Sequence, residues 1–202
     1  MAADVKKTGM LLIISGPSGT GKGTLVSKLM ESDPTFHFSC SVTTRAPREG
    51  EIDGVHYHFV SVEEYQRLVK ENAFLEHAQV HANFYGTLRK PVEEMMAEGK
   101  NVLLDIDTQG AINVMNNAID YVSIFILPPS FTELENRLRG RNTDAPDVIE
   151  RRMRNSRAEV EMLDKYQYSI VNDDLETAFE QLQHIVNAEK LRTTRCKVTI
   201  TE

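Results

Sequence analysis

Nine residues, Gly16-Pro17-Ser18-Gly19-Thr20-Gly21-Lys22-Gly23-Thr24, have the composition and spacing of a phosphate cradle. They follow the apolar run Met10-Leu11-Leu12-Ile13-Ile14 and precede Leu25-Val26-Ser27-Lys28-Leu29-Met30. That order predicts a strand, a glycine-rich turn and a helix, the setting in which such a loop binds phosphate. Successive backbone N–H groups form an anion nest, and the positive end of the new helix points into it. Lys22 adds a flexible point charge. The loop departs from the common pattern at Gly23, where a hydroxyl that ligates Mg²⁺ usually stands. Thr24 lies about 100° further round the helix. Mg²⁺ is therefore expected to be held through phosphates and water.

Two further stretches could handle anions. Thr43-Thr44-Arg45-Ala46-Pro47-Arg48 ends a strand-like piece in a turn with two arginines three apart. Later, arginine concentrates at Arg137, Arg139, Arg141, Arg151, Arg152, Arg154 and Arg157, with no lysine among them. Between these, Asn101-Val102-Leu103-Leu104-Asp105-Ile106-Asp107 reads as a strand buried on both faces with carboxylates at its C-terminal end. Ligands of open α/β sheets bind at that end. A phosphate loop, a second anion turn and an arginine-rich helical pair make a site for two phosphate-bearing substrates. Phosphoryl transfer needs positioning and charge neutralisation more than covalent catalysis. His56 and His58 alternate onto one strand face, but no third metal ligand accompanies them.

The elements that must position these residues can be read in order. Glu31-Ser32-Asp33-Pro34 stops the first helix. Glu51 to Val60 suggests a hairpin turning at Asp53-Gly54, with Val55, Tyr57 and Phe59 on one face. Ser61-Val62-Glu63-Glu64 opens a helix to about Lys70. Ala73 to Val80 alternates as a strand, and Phe84-Tyr85-Gly86-Thr87 reads as a turn. A helix follows from about Leu88 to Glu98, stopped at Gly99. Val122 to Leu127 is a strand ended by Pro128-Pro129. The loop Asn142-Thr143-Asp144-Ala145-Pro146 splits two helical stretches. Ser169-Ile170-Val171 is a short strand, and Phe179, Leu182, Ile185, Val186 and Leu191 form the apolar stripe of a last helix. The residues from Ser39 to Thr87 interrupt a strand–helix series and so read as an inserted subdomain.

At 202 residues the chain is the size of one domain, and 41% hydrophobic residues suffice for a core. The formal charge of −7 argues against a general nucleic-acid binder. Cys40 and Cys196 are far apart and in no metal-ligand spacing, which suits free thiols in a reducing compartment. The N-terminal apolar run is too short for a secretion signal or a membrane span. These features point to the cytosol.

The order of Gly16–Lys22, Thr43–Glu51, Tyr57-His58-Phe59, Phe84-Tyr85-Gly86, Asp105-Ile106-Asp107-Thr108-Gln109-Gly110 and Val171-Asn172-Asp173-Asp174 resembles the guanylate kinase family, from about Leu11 to Lys190. The resemblance implies an α/β fold of the P-loop nucleoside-monophosphate kinase type, with a parallel-sheet core, an inserted GMP-binding subdomain and a helical lid. Within a single domain over 1–202, the core would span about 9–38, 88–130 and 158–195, the insert about 39–87 and the lid about 131–157. The implied reaction is ATP + GMP giving ADP + GDP, with dGMP as a further acceptor, Mg²⁺ as cofactor and purine nucleotide metabolism as setting. Gly16, Pro17, Ser18, Gly19, Thr20, Gly21, Lys22, Gly23, Thr24 and Arg137 would bind ATP. Arg45, Arg48, Tyr57 and Tyr85 would bind the GMP phosphate, whereas Ser41, Glu76, Thr87 and Asp107 would read guanine. Lys22, Arg45, Arg141, Arg152 and Asp105 would be the catalytic set. Two rival readings compete: a family-like interaction module without catalysis, and a kinase for another mononucleotide. The intact Lys22 opposes the first, and the pairing of Glu76 with Asp107 opposes adenine as acceptor base.

Overall fold

Residues along Met10–Ile14 point alternately to opposite faces of a sheet, as the period of a strand requires, and both faces are covered. The structure is a computed structural model, and it describes residues 4–80, 82–118, 120–140 and 145–200. After β1 (Asp4–Lys7), the apolar run forms β2 (Leu11–Ser15), and α1 (Lys22–Ser32) begins at the lysine of the glycine-rich turn. β3 (Phe36–Phe38) returns to the same sheet. There follow β4 (Val42–Thr43), β5 (His58–Phe59), α2 (Val62–Lys70), β6 (Phe74–Val80) and β7 (Asn83–Leu88). The chain continues through α3 (Arg89–Ala97), β8 (Asn101–Asp105), α4 (Thr108–Asn117) and β9 (Val122–Leu127). It closes with α5 (Phe131–Gly140), α6 (Pro146–Val160), β10 (Tyr168–Val171), α7 (Leu175–Lys190) and β11 (Cys196–Thr199).

Five strands pair in the order β10-β9-β2-β8-β3, all parallel. Met10, Leu12 and Ile14 pack with Leu25 and Leu29 of α1 and Leu182 and Val186 of α7. Leu11 and Ile13 pack on the other side with Val92 of α3 and Val114 of α4. β2 is central, and the chain leaves it first towards β3 and later returns to β9 on its other side. The crevice outside its C-terminal end is thus where such sheets bind ligands. A second sheet, β5-β4-β7-β6, has its own small core of Val42, Tyr65 and Phe74 under α2. Leu134, Leu138, Ile149 and Met153 join α5 to α6 as a separate helical pair. Among the described residues no helix is long and apolar enough to cross a membrane.

Three local expectations are corrected. Residues 51–60 do not form a hairpin. Gly54 does adopt the positive φ of 74° that the Asp-Gly pair suggested. The Asp53 carboxylate, however, accepts from the Phe59 N–H at 2.8 Å and folds the segment into a loop, leaving His58–Phe59 parallel to β4. Phe84–Thr87 is strand, not turn: it pairs antiparallel with β6, and the Phe84 ring stacks on Tyr65 at 5.1 Å. Leu191 lies past the end of α7 and is 70% exposed, outside the apolar stripe.

β1 and β11 pair antiparallel into a small ribbon that the sequence pattern did not suggest. Its anchor is Arg195, which is 1% exposed. The Arg195 guanidinium donates to Asp120 Oδ2 at 3.0 Å and pairs with the buried Glu189, whose other oxygen accepts from the Tyr168 hydroxyl at 2.5 Å. Burial works to raise the Glu189 carboxyl, but Tyr168 and Arg195 overrule it and hold it below the usual carboxylate range. The Thr8 N–H donates to the Arg195 carbonyl, so one residue ties both ends of the chain together. Removing one member of a buried ion pair strands the other. We expect Arg195→Ala to lose about 3 kcal/mol of stability in urea unfolding. A loss under about 1 kcal/mol would show that water replaces the guanidinium readily.

Candidate active site

The turn after β2 is shaped by backbone hydrogen bonds. The Pro17 carbonyl accepts from both the N–H and the hydroxyl of Thr20, and the Gly21 carbonyl accepts from Thr24 and Leu25. Gly21 takes a left-handed conformation, φ 85°, immediately before α1. Behind it, Asn172 at the end of β10 donates its side-chain amide to the Thr20 carbonyl at 2.7 Å. A Cβ on Gly21 would lie 2.3 Å from that amide nitrogen, so the turn tolerates no side chain there. Gly23 differs: a Cβ would meet nothing within 4 Å. Gly16 through Thr24, with Asp105, Ile106, Asp107 and Glu159, line a cleft of about 470 Å³.

Lys22 projects into this cleft and pairs with Asp105 at the end of β8. Burial pushes the Lys22 ammonium below the usual lysine range, while the charges of Asp107 and Glu159 oppose that shift. A lysine held this way is partly desolvated before any phosphate arrives, which strengthens its field there. For Mg²⁺ the donor set is sparse: Gly23 has no hydroxyl, and no group of three metal-ligating side chains occurs among the described residues. Asp105 and Asp107 can accept from the water shell of a cation carried in by polyphosphate, which fits the reluctance of Mg²⁺ to shed its waters.

The second anion turn lies on the smaller sheet. The Arg45 guanidinium is held between ring and carboxylate. Its Cζ sits 5.5 Å from the centre of Tyr57 and 5.8 Å from Phe59, and Glu51 grips its end at 2.8 and 2.9 Å. Tyr57 and Tyr85 meet edge to face at 6.1 Å. Arg48 is exposed, with its N–H on Glu51 at 2.6 Å. Ser41 immediately precedes β4, its carbonyl accepting from the His58 N–H at 2.9 Å.

Glu76 on β6 and Thr87 on β7 are joined by a 2.8 Å hydrogen bond. Asp107 caps α4, its Oδ1 accepting from the Gly110 N–H at 2.7 Å. A Cβ on Gly110 would stand 3.4 Å from Asp107 Oδ1 and 3.7 Å from Glu76 Oε2, so the two carboxylates flank one glycine. Burial raises the Glu76 carboxyl above its ordinary range; Thr87 opposes this and the Asp107 charge adds to it. Two carboxylates held this close, one of them desolvated, form a strong acceptor site for paired N–H donors.

Arginines reach the cleft from the helical pair. Arg152 on α6 donates to the Ser18 hydroxyl at 3.0 Å, directly over the phosphate loop. Arg137 on α5 donates to Glu133 at 2.9 Å and to the Asn172 carbonyl at 3.0 Å. Arg141 lies outside the described residues. Three groups were not singled out from sequence: Glu51, Asn172 and Glu159. Glu159 lines the phosphate cleft, where burial and then Asp107 raise its carboxyl and Lys22 lowers it. Asn172 and Glu51 each lie within a family-like stretch, Val171–Asp174 and Thr43–Glu51, that gives them no separate role. Only their contacts distinguish them.

The guanylate kinase family model matches residues 8–189. The chain is 52% identical over 192 residues to a guanylate kinase of Rhizobium etli, covering 95% of this chain and 87% of that one. It is 46% identical over 194 residues to one of Clostridium perfringens, covering 96% and 90%. Among solved structures, the guanylate kinase of Anaplasma phagocytophilum is similar with a TM-score of 0.70 and 37% identity, covering 96% of this chain and 93% of that one.

The two loop glycines give a paired test of the cradle. Gly21→Ala should weaken ATP binding by at least tenfold, because the left-handed backbone and the Asn172 contact both oppose a methyl group. Gly23→Ala, in open space, should bind ATP within a few-fold of the parent and melt no lower. Calorimetric titration of ATP and a melting curve for each variant read both outcomes.

Proposed function

The chain belongs to the guanylate kinase family of nucleoside monophosphate kinases, and from that membership we propose how its own residues divide the transfer of the γ-phosphoryl group of ATP to GMP. The observation that carries the assignment is Asp107, which lines the phosphate cleft on one side and flanks Gly110 with Glu76 on the other. ATP phosphates would lie in the nest from Gly16 to Thr24, with Lys22 leaving Asp105 to reach the transferring group. Arg137 and Arg152 would neutralise charge from the helical pair, and the family resemblance gives Arg141 the same task. The GMP phosphate would take Arg45, Arg48, Tyr57 and Tyr85, since guanidinium forks and phenolic hydroxyls suit a dianion. Mg²⁺, when bound, supplies charge neutralisation across the phosphates, and Asp105 would hold it through water.

Guanine presents N1–H and N2–H₂ on one edge, and Glu76 with Asp107 would accept them while Thr87 and Ser41 complete the pocket. Adenine lacks that donor edge and would leave desolvated carboxylates unpaired. dGMP would enter the same pocket, since none of these contacts calls on the 2′-hydroxyl. By this assignment residues of about 39–87 serve as the GMP-binding insert, about 131–157 as the lid, and the rest as the core. Both cysteines are free thiols, which fits a cytosolic enzyme of purine nucleotide metabolism.

Two substitutions separate the roles. Lys22→Met removes the charge but little volume. A transition-state contact of this kind is worth roughly 3–4 kcal/mol, so kcat should fall several hundredfold. A near-normal kcat at unchanged Tm would refute the phosphate role of Lys22. Glu76→Gln turns an acceptor oxygen into an amide donor facing another donor. GMP affinity should drop by at least a hundredfold while ATP affinity holds. Titrating both nucleotides against Glu76→Gln decides the point, because unchanged GMP binding is incompatible with guanine reading at Glu76.

A further inference from the structure

The Arg45 guanidinium has five N–H donors in one plane. Nη1 donates to Glu51 Oε2 at 2.9 Å and to the Ala46 carbonyl at 2.8 Å, which uses both of its hydrogens. Nη2 donates to Glu51 Oε1 at 2.8 Å. The hydrogens that remain, on Nε and Nη2, lie side by side along the other edge of the fork. That edge is the one that grips an oxyanion bidentately. The Tyr57 and Phe59 rings restrict the plane of the group, and the Tyr85 hydroxyl adjoins it. Glu51 is itself held: its Oε2 accepts from the Arg48 N–H at 2.6 Å, and its own N–H closes the turn onto the Arg48 carbonyl at 3.0 Å.

We infer that Glu51 is a positioning residue for GMP, turning the Arg45 fork so that its Nε–Nη2 edge faces the incoming phosphate. The inference rests on the reading that Arg45 receives that phosphate. Glu51 touches no substrate. It occupies the end of the fork, so the phosphate meets a donor edge whose direction is already set. Long side chains lose rotamer freedom on binding, and an arginine fixed beforehand loses less. The Arg45 hydrogen bonds hold the Glu51 carboxyl down at about 2, so it stays ionised throughout the working range of an enzyme at neutral pH. The same bonds tie the Arg45 and Arg48 ends of the turn into one unit. A competing possibility is that Glu51 merely stands in for the phosphate and must leave before GMP binds.

Guanosine shares the base contacts of GMP without the phosphate, so the ratio of GMP to guanosine affinity isolates the anion turn. Calorimetry on the full chain would give both constants, with ATP affinity measured alongside. For Glu51→Gln the ratio should fall about tenfold or more, since contacts to charged groups are the strong ones. Guanosine and ATP affinities should change less than about twofold. Glu51→Asp keeps the charge on an arm one methylene shorter and should lose most of the ratio as well. Tighter GMP binding by Glu51→Gln would mean that Glu51 competes with the phosphate, and the inference fails. Parallel losses for GMP and guanosine would reduce Glu51 to fold support, which also overturns it. So would full retention of the ratio by Glu51→Asp. Arg45→Ala serves as the reference: if its ratio falls while that of Glu51→Gln does not, the positioning role is wrong and the Arg45 reading stands. If Arg45→Ala keeps the ratio, the Arg45 reading is wrong and the role of Glu51 falls with it.

Discussion

Concentrated positive charge must be held in a partly desolvated cleft before any polyphosphate arrives, and this constraint organises the site. Four of its cations are each aimed by an oxygen partner. Lys22 pairs with Asp105, Arg45 with Glu51, and Arg137 with Glu133 and the Asn172 carbonyl, while Arg152 reaches the Ser18 hydroxyl. Ion pairs that remain partly open to solvent in this way add little to stability. Their value lies in direction. A guanidinium fork or an ammonium aimed in advance loses less freedom when phosphate binds, and its field is strongest where water is already thinned.

The sheet decides where such a site can stand. Both faces of β2 and β8 are covered by helices, so the charged groups of the site gather beyond the strand ends. Ser15 leads into the phosphate loop at one such end, and Asp105 and Asp107 close β8 at the next. Asp107 has two tasks. It caps α4, which fixes its carboxylate in direction, and it shares the Gly110 corner with Glu76 from the smaller sheet. The rigid helix start thereby sets the distance between the Glu76–Asp107 pair and the cleft beside the glycine-rich loop. Asn172 performs a similar service at β10, holding the loop backbone through the Thr20 carbonyl and receiving Arg137 on its own.

Most strands and helices of the core series are legible in the amino-acid order because their signals are local. An apolar run before the glycine loop, proline stops and a Ser61 cap each act within a few residues. α4 escaped that reading. Thr108–Asn117 carries Gly110 and three asparagines, poor helix formers whose placement depends on the Asp107 cap and on the packing of Ala111 and Val114. β7 escaped for a related reason. Phe84-Tyr85-Gly86-Thr87 has turn-like composition, yet its glycine is where the backbone meets the Phe74 ring, and its aromatics need β6 and α2 beside them. The β1–β11 ribbon depends on a buried arginine more than a hundred residues from β1.

The site divides along the same line. The phosphate loop, its lysine and the carboxylates after β8 were legible from residue order alone, since a strand, a glycine turn and a helix form from contiguous chain. So was the list of arginines. What each arginine faces was not, because that depends on residues distant in sequence or on a turn whose shape composition leaves open. The reach of Arg152 to Ser18 and the convergence of Glu76 with Asp107 arise when separate sheets and helices pack together, whereas the grip of Glu51 on Arg45 comes from the shape of one turn. The amino-acid order determined which charges the protein carries and the phosphate-binding element. Only the tertiary structure decided their direction, because a side chain takes its bearing from neighbours that the linear pattern does not place.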